Sequence, residues 1–197
     1  LSMILLLFKL NILNSDESIF MYIMHDNKKK RKEKYLFYLY PELKEFMTKE
    51  CFNQYERQVS KTNNYEMLRE IGENESYLCS LIRDDLVEEF ITYVNKTNIS
   101  LSKTVIKASL FETNSFLIDK KPTMIEYSAF YGSIGIFQYL RLQQVDLEPS
   151  LWLYAIHSNN PEMIHLLEDD HVKPEDSSYE ECYKESIKCH HNSLANY

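Results

Sequence analysis

Apolar residues recur at steps of three and four along most of the chain, the spacing that places them on one buried face of a helix. Between residues 35 and 75, the apolar positions with this spacing are Tyr35, Leu36, Leu39, Leu43, Phe46 and Met47. Pro41 falls inside the pattern and should bend or restart the helix, because proline lacks the backbone N–H. We therefore predict a helical N-terminal region over residues 1–75.

A shorter rhythm begins at Ser76 and predicts helix pairs. One apolar face covers residues 77–82 and a second covers residues 86–94, with the charged residues 83–85 between them. Residues 99–121 follow no clear period and fit either an extended segment or a loop. We predict that 76–121 is a degenerate helix-pair region.

The last third of the chain repeats itself. The segment from Thr123 to Leu140 aligns with residues 150–167 and with the stretch from Glu181 onward. Gly132, Asn159 and His190 then share one position, with intervals of 159 − 132 = 27 and 190 − 159 = 31 residues. Intervals of 20 to 50 residues are typical of stacked repeats. Each of these residue types tolerates the left-handed backbone that often ends a helix.

A second helix is predicted after each of these turns. Ser133 and Asn160 are good N-cap residues, and Pro161 suits the first helical position. Apolar residues at steps of three and four follow in each unit. Gly135 is unexplained, because glycine inside a helix costs about 1 kcal/mol relative to alanine. Close packing on a neighbouring helix would account for it.

These residues resemble an ankyrin repeat. The matching positions are Thr123 and Ser150 for the opening Thr, Ser128-Ala129 and Ala155-Ile156 for the small pair, Gly132 for the turn, Glu162 for the acidic position, and Ile136-Phe137 and Met163-Ile164 for the second helix. The resemblance covers residues 122–197, with the last unit incomplete and a degenerate unit at 76–98. It is closest to divergent arrays of protists, in which a helical region of unknown function precedes the repeats.

The resemblance implies an all-α protein, with a helical N-terminal region followed by an ankyrin-like α-solenoid that binds another protein and performs no chemistry. The interval of 27 residues is shorter than the usual repeat of about 33 and leaves little room for a β-finger, so the helical concave face is the expected binding surface. The predicted binding residues, all at exposed first-helix positions, are Tyr127, Phe130, Tyr131, Tyr154, His157, Ser158 and Lys188, with Glu185 beside them. The alternative is that some of them pack on residues 76–118. Trp152 aligns with the inward Ile125 and is expected in the core.

Charge and composition narrow the function further. The net charge of −8 argues against nucleic acid as a partner. The exception is the basic run from Lys28 through Lys29, Lys30, Arg31 and Lys32, which is either a nuclear import signal or a solvated linker. Three glycines cannot build a Gly-rich phosphate loop. We expect no enzymatic activity, no small-molecule substrate and no cofactor.

The cysteines give no metal-binding pattern. Cys51, Cys79, Cys182 and Cys189 contain no C-x-x-C pair. The sequence Cys189-His190-His191 offers ligand types, but adjacent residues seldom all point at one ion. We expect reduced cysteines, no metal site and a cytoplasmic protein.

Two alternatives to a protein-binding adaptor stay open. The first is a membrane-associated protein that attaches through the N-terminal apolar segment. This run is too short to span a bilayer, and Lys9, Asp16 and Glu17 interrupt it. The chain also begins with Leu1 and stops within the second helix of its third unit. The second alternative is therefore a truncated fragment of a longer ankyrin array without independent function.

Overall fold

The computed structural model describes residues 2–175 and 177–197. Over these residues the protein is all-helical, as predicted, and contains no β-strand. The one extended feature of the described residues is an isolated antiparallel bridge between Val105 and Thr123.

The chain divides into two compact units. The first unit consists of the chain up to residue 75 together with residues 108–120, and the second consists of residues 76–107 and 121–197. The division therefore falls inside the irregular segment 99–121: its first part, up to residue 107, belongs to the second unit, and residues 108–120 belong to the first.

The first unit restarts its helix at Pro41, as predicted. Its helices are α1 (Ser2–Lys9), α2 (Glu17–Met24), α3 (Lys29–Tyr38), α4 (Tyr40–Leu43), α5 (Lys49–Ser60), α6 (Tyr65–Ile71) and, after the second unit has begun, α9 (Ser115–Ile118). Pro41 occupies the first turn of α4, where its missing N–H leaves no bond unmade.

An aromatic core holds the first unit together. Phe37, Tyr65 and Phe111 contact one another edge-on, with ring centroids 5.2 to 5.9 Å apart. The predicted apolar face is largely confirmed, since Leu36, Leu39 and Leu43 are buried while Tyr35, Phe46 and Met47 pack at the edge of the core.

Two cationic side chains are buried in the first unit. The Nη1 atom of Arg69 lies 2.6 Å from a carboxylate oxygen of Glu42 and donates to the backbone oxygen of Tyr38. The ammonium of Lys34 donates to the backbone oxygen of Ser109 at 2.8 Å. Burial lowers the pKa of Lys34 to about 8.

The second unit consists of helix pairs. Each pair has a first and a second helix, and the pairs are α7 (Tyr77–Arg83) with α8 (Val87–Thr97), α10 (Met124–Tyr131) with α11 (Ile134–Leu142), α12 (Leu151–Ser158) with α13 (Pro161–Asp169), and α14 (Glu180–Lys188) with α15 (Asn192–Asn196). The first helices contact one another in chain order, α7 with α10, α10 with α12 and α12 with α14. The second helices α8 and α11 are also in contact.

The turn between the helices of each pair has a left-handed residue, as predicted. Gly132, Asn159 and His190 have φ of 69°, 50° and 60°. Asp85 takes the same conformation in the first pair, with φ of 49°. Aspartate is one of the few other residue types that adopt it.

The predicted N-caps are half confirmed. The side chain of Asn160 accepts from the backbone N–H of Glu162 at 3.0 Å, whereas Ser133 makes no side-chain cap bond. Its hydroxyl donates instead to the backbone oxygen of Ile82. The start of α11 is capped from the preceding pair by Asp85.

Asp85 and Val87 of the preceding helix pair both lie close to Gly135. The two carboxylate oxygens of Asp85 accept from the backbone N–H groups of Gly135 and Ile136, both at 2.8 Å. A Cβ atom on Gly135 would lie 2.6 Å from Cγ2 of Val87. Glycine is required here because α11 approaches the start of α8 too closely for a side chain.

Candidate functional site

The predicted binding residues lie at three positions of the first helices, counted back from the left-handed residue. Tyr127, Tyr154 and Glu185 are five residues before it, Phe130, His157 and Lys188 are two before it, and Tyr131, Ser158 and Cys189 immediately precede it. The corresponding residue two before Asp85 is Arg83. Equivalent positions on neighbouring helices are thus brought to one side of the second unit.

The expected exposure of three of these residues is wrong. Tyr127, Phe130 and Tyr154 retain only 1%, 8% and 4% of their surface. The reason is that α10 lies between α7 and α12, and α12 lies between α10 and α14, so these rings fill the space between helices. Nη1 of Arg83 in α7 donates to the Tyr127 hydroxyl at 3.3 Å, which is the packing on residues 76–118 that the sequence had left as the alternative.

A continuous row of side chains crosses the first helices. We call it the side-chain ladder and define it as Arg83, Tyr127, Tyr131, Phe130, His157 and Glu185. The guanidinium of Arg83 lies 5.9 Å from the centre of the Tyr131 ring, a cation–π distance. Tyr131 contacts Phe130, and Phe130 stacks on His157, both with centroids 5.0 Å apart. His157 Nε2 then lies 3.0 Å from Glu185 Oε1.

The outer edge of the ladder is accessible to solvent. Arg83, Tyr131, His157 and Glu185 are half-buried, and Lys188 is exposed. Lys188 donates to the second carboxylate oxygen of Glu185 at 2.8 Å. Four of the predicted residues therefore have accessible surface: Tyr131, His157, Ser158 and Lys188.

Ser158 has a local bonding pattern. Its hydroxyl donates to the backbone oxygen of Ala155 at 2.7 Å and accepts from the backbone N–H of Asn160. Both bonds stabilise the turn after α12. Ser158 thus serves the turn in this structure, while its neighbours form the ladder.

The environment of the ladder sets its charges. Burial raises the pKa of the Tyr127 and Tyr154 hydroxyls well above their usual range, so both remain neutral. Burial also acts to raise the pKa of Glu185, but hydrogen bonds from Lys188 and His157 hold it below its usual range. The same contact raises the pKa of Lys188. The Glu185 end of the ladder therefore carries a carboxylate that pairs with the exposed ammonium of Lys188.

The structure brings together residues that the sequence analysis kept apart. Cys189 Sγ lies 3.4 Å from Nδ1 and 3.8 Å from Nε2 of His157. In the sequence Cys189 stands beside His190 and His191, and the one signal for its pairing with His157 is that the two residues belong to consecutive first helices. Trp152 is buried as predicted, and its indole N–H donates to the backbone oxygen of Val172 at 2.7 Å.

Among the described residues, no helix has both the length and the apolar composition needed to cross a membrane. Comparison of the chain with protein-family models, with curated proteins and with solved structures finds no match in any of the three.

Proposed function

We propose that this protein is a non-enzymatic protein-binding adaptor whose second unit is a short ankyrin-like solenoid. The observation that carries the proposal is a contact that recurs from pair to pair. The residue after each left-handed position reaches the backbone of the preceding pair: Ser133 bonds to the oxygen of Ile82, Asn160 to that of Gly132 at 3.4 Å, and His191 to that of Ile156 at 2.9 Å. Units that each contact only their neighbours are the basis of repeat arrays.

The outer edge of the side-chain ladder is the binding surface in this proposal. It offers an aromatic residue, Tyr131, beside the guanidinium of Arg83, and at its other end the ammonium of Lys188 on Glu185. Tyrosine and arginine are frequent anchors of protein interfaces. The side chains of the ladder already hold one another, so binding would immobilise few additional rotamers. The buried residues Tyr127, Phe130 and Tyr154 support this surface from beneath.

The test compares two lysines on one helix. Lys188 and Lys184 are both exposed on α14, and both pair with glutamates. A partner captured by the tagged chain should be purified and its affinity measured by calorimetry for wild type, Lys188→Ala, Lys184→Ala and Tyr131→Ala. We expect Tyr131→Ala to weaken binding about tenfold or more, Lys188→Ala to weaken it less, and Lys184→Ala to have no effect.

The binding proposal is contradicted if the purified partner binds all variants equally. It is equally contradicted if the wild-type chain forms no stoichiometric complex. Circular dichroism of each variant separates loss of binding from loss of folding.

In the cell, we place the adaptor in the cytoplasm, with entry into the nucleus if Lys28–Lys32 acts as an import signal. The run lies at the start of α3, where Lys28, Lys29 and Lys30 are exposed. A fluorescent fusion should redistribute when these lysines are changed to serine. No change would assign the run to the surface of α3 alone.

A second candidate function is attachment to a membrane surface, and one observation favours it. Exposed apolar residues on α2 directly precede the basic run: Met21, Tyr22 and Met24 have 43%, 81% and 37% of their surface exposed. Apolar side chains beside four or more cations are the combination that binds anionic bilayers.

Vesicle co-sedimentation tests this second candidate. Binding to vesicles that contain phosphatidylserine should exceed binding to pure phosphatidylcholine, and it should fall with Tyr22→Ser. Leu142→Ser is the matched control, since Leu142 is an equally exposed apolar residue of the second unit, with 79% of its surface exposed. Equal sedimentation of wild type and Tyr22→Ser would rule this function out.

A further inference from the structure

A cluster of three potential metal ligands joins α12 to α14. Nitrogen of His157, oxygen of Glu185 and sulfur of Cys189 lie within 4.8 Å of one another, and all three residues are half-buried. His157 comes from α12. Glu185 and Cys189 are four residues apart on α14 and therefore share one face of that helix.

The chemistry of the cluster suits a zinc-class cation. Imidazole nitrogen, carboxylate oxygen and thiolate sulfur are the ligands that Zn²⁺ uses in proteins, with bonds of about 2.0–2.3 Å. At tetrahedral angles such bonds put the ligand atoms about 3.3–3.6 Å apart. The observed separations are 3.0 Å from His157 Nε2 to Glu185 Oε1 and 3.8 Å from His157 Nε2 to Cys189 Sγ. The third separation, from a Glu185 oxygen to Cys189 Sγ, is within 4.8 Å, so the side chains must rotate inward to close around an ion.

Neighbouring residues orient two of the three ligands. The ring of Phe130 stacks on His157 at an interplanar angle of 27°, which fixes the plane of the imidazole. Lys188 holds Oε2 of Glu185 at 2.8 Å and leaves Oε1 directed at His157. Metal sites commonly depend on outer contacts of this kind to hold their ligands in place.

From this geometry we propose that His157, Glu185 and Cys189 bind a divalent zinc-class cation that clamps α12 to α14. Solvent completes the coordination, because the cluster is half-buried rather than enclosed. The site goes beyond the protein-binding function and does not depend on it. A bound cation would tie together two consecutive helix pairs of the second unit.

Cobalt titration tests the site directly, because a sulfur ligand gives Co²⁺ a charge-transfer absorption that a hydrogen-bonded His–Glu pair cannot give. The reduced, chelator-treated full chain is titrated with Co²⁺ and then with Zn²⁺. We expect one Co²⁺ per chain, a sulfur-to-cobalt absorption band, and displacement by Zn²⁺. Cys189→Ser should abolish the band and weaken Zn²⁺ binding at least about tenfold, since losing an outer contact alone costs 10- to 100-fold.

Two cysteines serve as controls. Cys51→Ser changes a half-buried cysteine of the first unit, and Cys182→Ser changes a buried cysteine on α14 itself. Both variants should keep the band. Glu185→Gln should keep the band with weaker affinity.

Thermal unfolding gives a second measurement. Zn²⁺ should raise the midpoint of wild type and Cys51→Ser but not of Cys189→Ser. The proposal is overturned if wild type lacks the sulfur-to-cobalt band, if Cys182→Ser abolishes it while Cys189→Ser does not, or if Zn²⁺ shifts every variant equally.

Discussion

The two units build their interiors in different ways. The aromatic core of the first unit takes Phe37, Tyr65 and Phe111 from segments far apart in the chain. In the second unit the first helices contact one another in chain order, from α7 through α10 and α12 to α14. The first unit is therefore held by contacts between distant segments, and the second by contacts between consecutive pairs.

Polar groups follow the same division. The first unit buries whole cationic side chains, Arg69 and Lys34, and pairs them with the carboxylates of Glu42 and Glu66 and with backbone oxygens. The second unit uses polar side chains at its turns, where Asp85 and Asn160 accept from backbone N–H groups at the starts of helices. We expect substitutions in the first unit to weaken it as a whole and substitutions in the second unit to act on adjacent pairs.

The largest effect is expected from Arg69→Ala in the first unit. It leaves the carboxylate of Glu42, 16% exposed, without its buried partner. Breaking a buried ion pair by removing one member costs about 3–5 kcal/mol. Urea unfolding should show this loss, and hydrogen exchange should rise throughout α3 to α6. The double variant Arg69→Met, Glu42→Leu should recover most of the lost free energy of unfolding. A loss below about 1 kcal/mol in Arg69→Ala would contradict the prediction.

Asp85→Ala should have the next largest effect, and a local one. It removes both cap bonds at the start of α11 and puts alanine at a left-handed position, for a combined loss of about 2 kcal/mol in the free energy of unfolding. Hydrogen exchange should increase in α8 and α11 more than in α13. The control is Asp84→Ala, at the exposed residue next to Asp85. It should change the free energy of unfolding by less than about 0.5 kcal/mol. Equal losses in the two variants would refute the capping role.

Lys34 gives the first unit a distinctive pH dependence. Its pKa falls from 10.5 to about 8 because the ammonium is buried, so between these values the unfolded chain binds more protons than the folded one. Stability should then rise with pH from about 8 to 10, by about 1–2 kcal/mol, and this slope should vanish below pH 8 where both states are protonated. Urea unfolding at several pH values should show the slope in wild type and in the exposed-lysine control Lys30→Met, and its absence in Lys34→Met. An unchanged slope in Lys34→Met would assign it to other groups.

The smallest effect is expected from Gly135→Ala. Alanine gains about 1 kcal/mol of helix propensity, but its Cβ would meet Val87 Cγ2 at 2.6 Å, and overpacking of this kind costs about 1–3 kcal/mol. The net loss should be about 1 kcal/mol. In a Val87→Ala background the same change should be less destabilising, with the Cβ still 3.2 Å from the Asp85 carboxylate. A double-mutant cycle of Gly135→Ala and Val87→Ala measures the coupling energy between the two positions. A coupling energy near zero would show that contact with Val87 is not the reason for the glycine.

Local patterns predicted much of the second unit. The left-handed residues Gly132 and Asn159 and the cap at Asn160 follow from the residue itself and its near neighbours, and the burial of Trp152 follows from its alignment with Ile125 in the repeat. Exposure was predicted less well. Tyr127 and Tyr154 were expected on a surface, but adjacent first helices cover them. The spacing of apolar residues along one helix does not specify which other helices pack beside it.

The sequence by itself determined the all-helical class, the helix pairs and their left-handed turns, because these depend on side-chain spacing and backbone preferences over a few residues. Only the tertiary structure decided that Asp85 caps α11 across fifty residues, that Gly135 makes room for Val87, and that Cys189 meets His157. These contacts join residues from different helix pairs. Their partners are chosen by the distance between helices in space, which the order of residues along one helix does not specify.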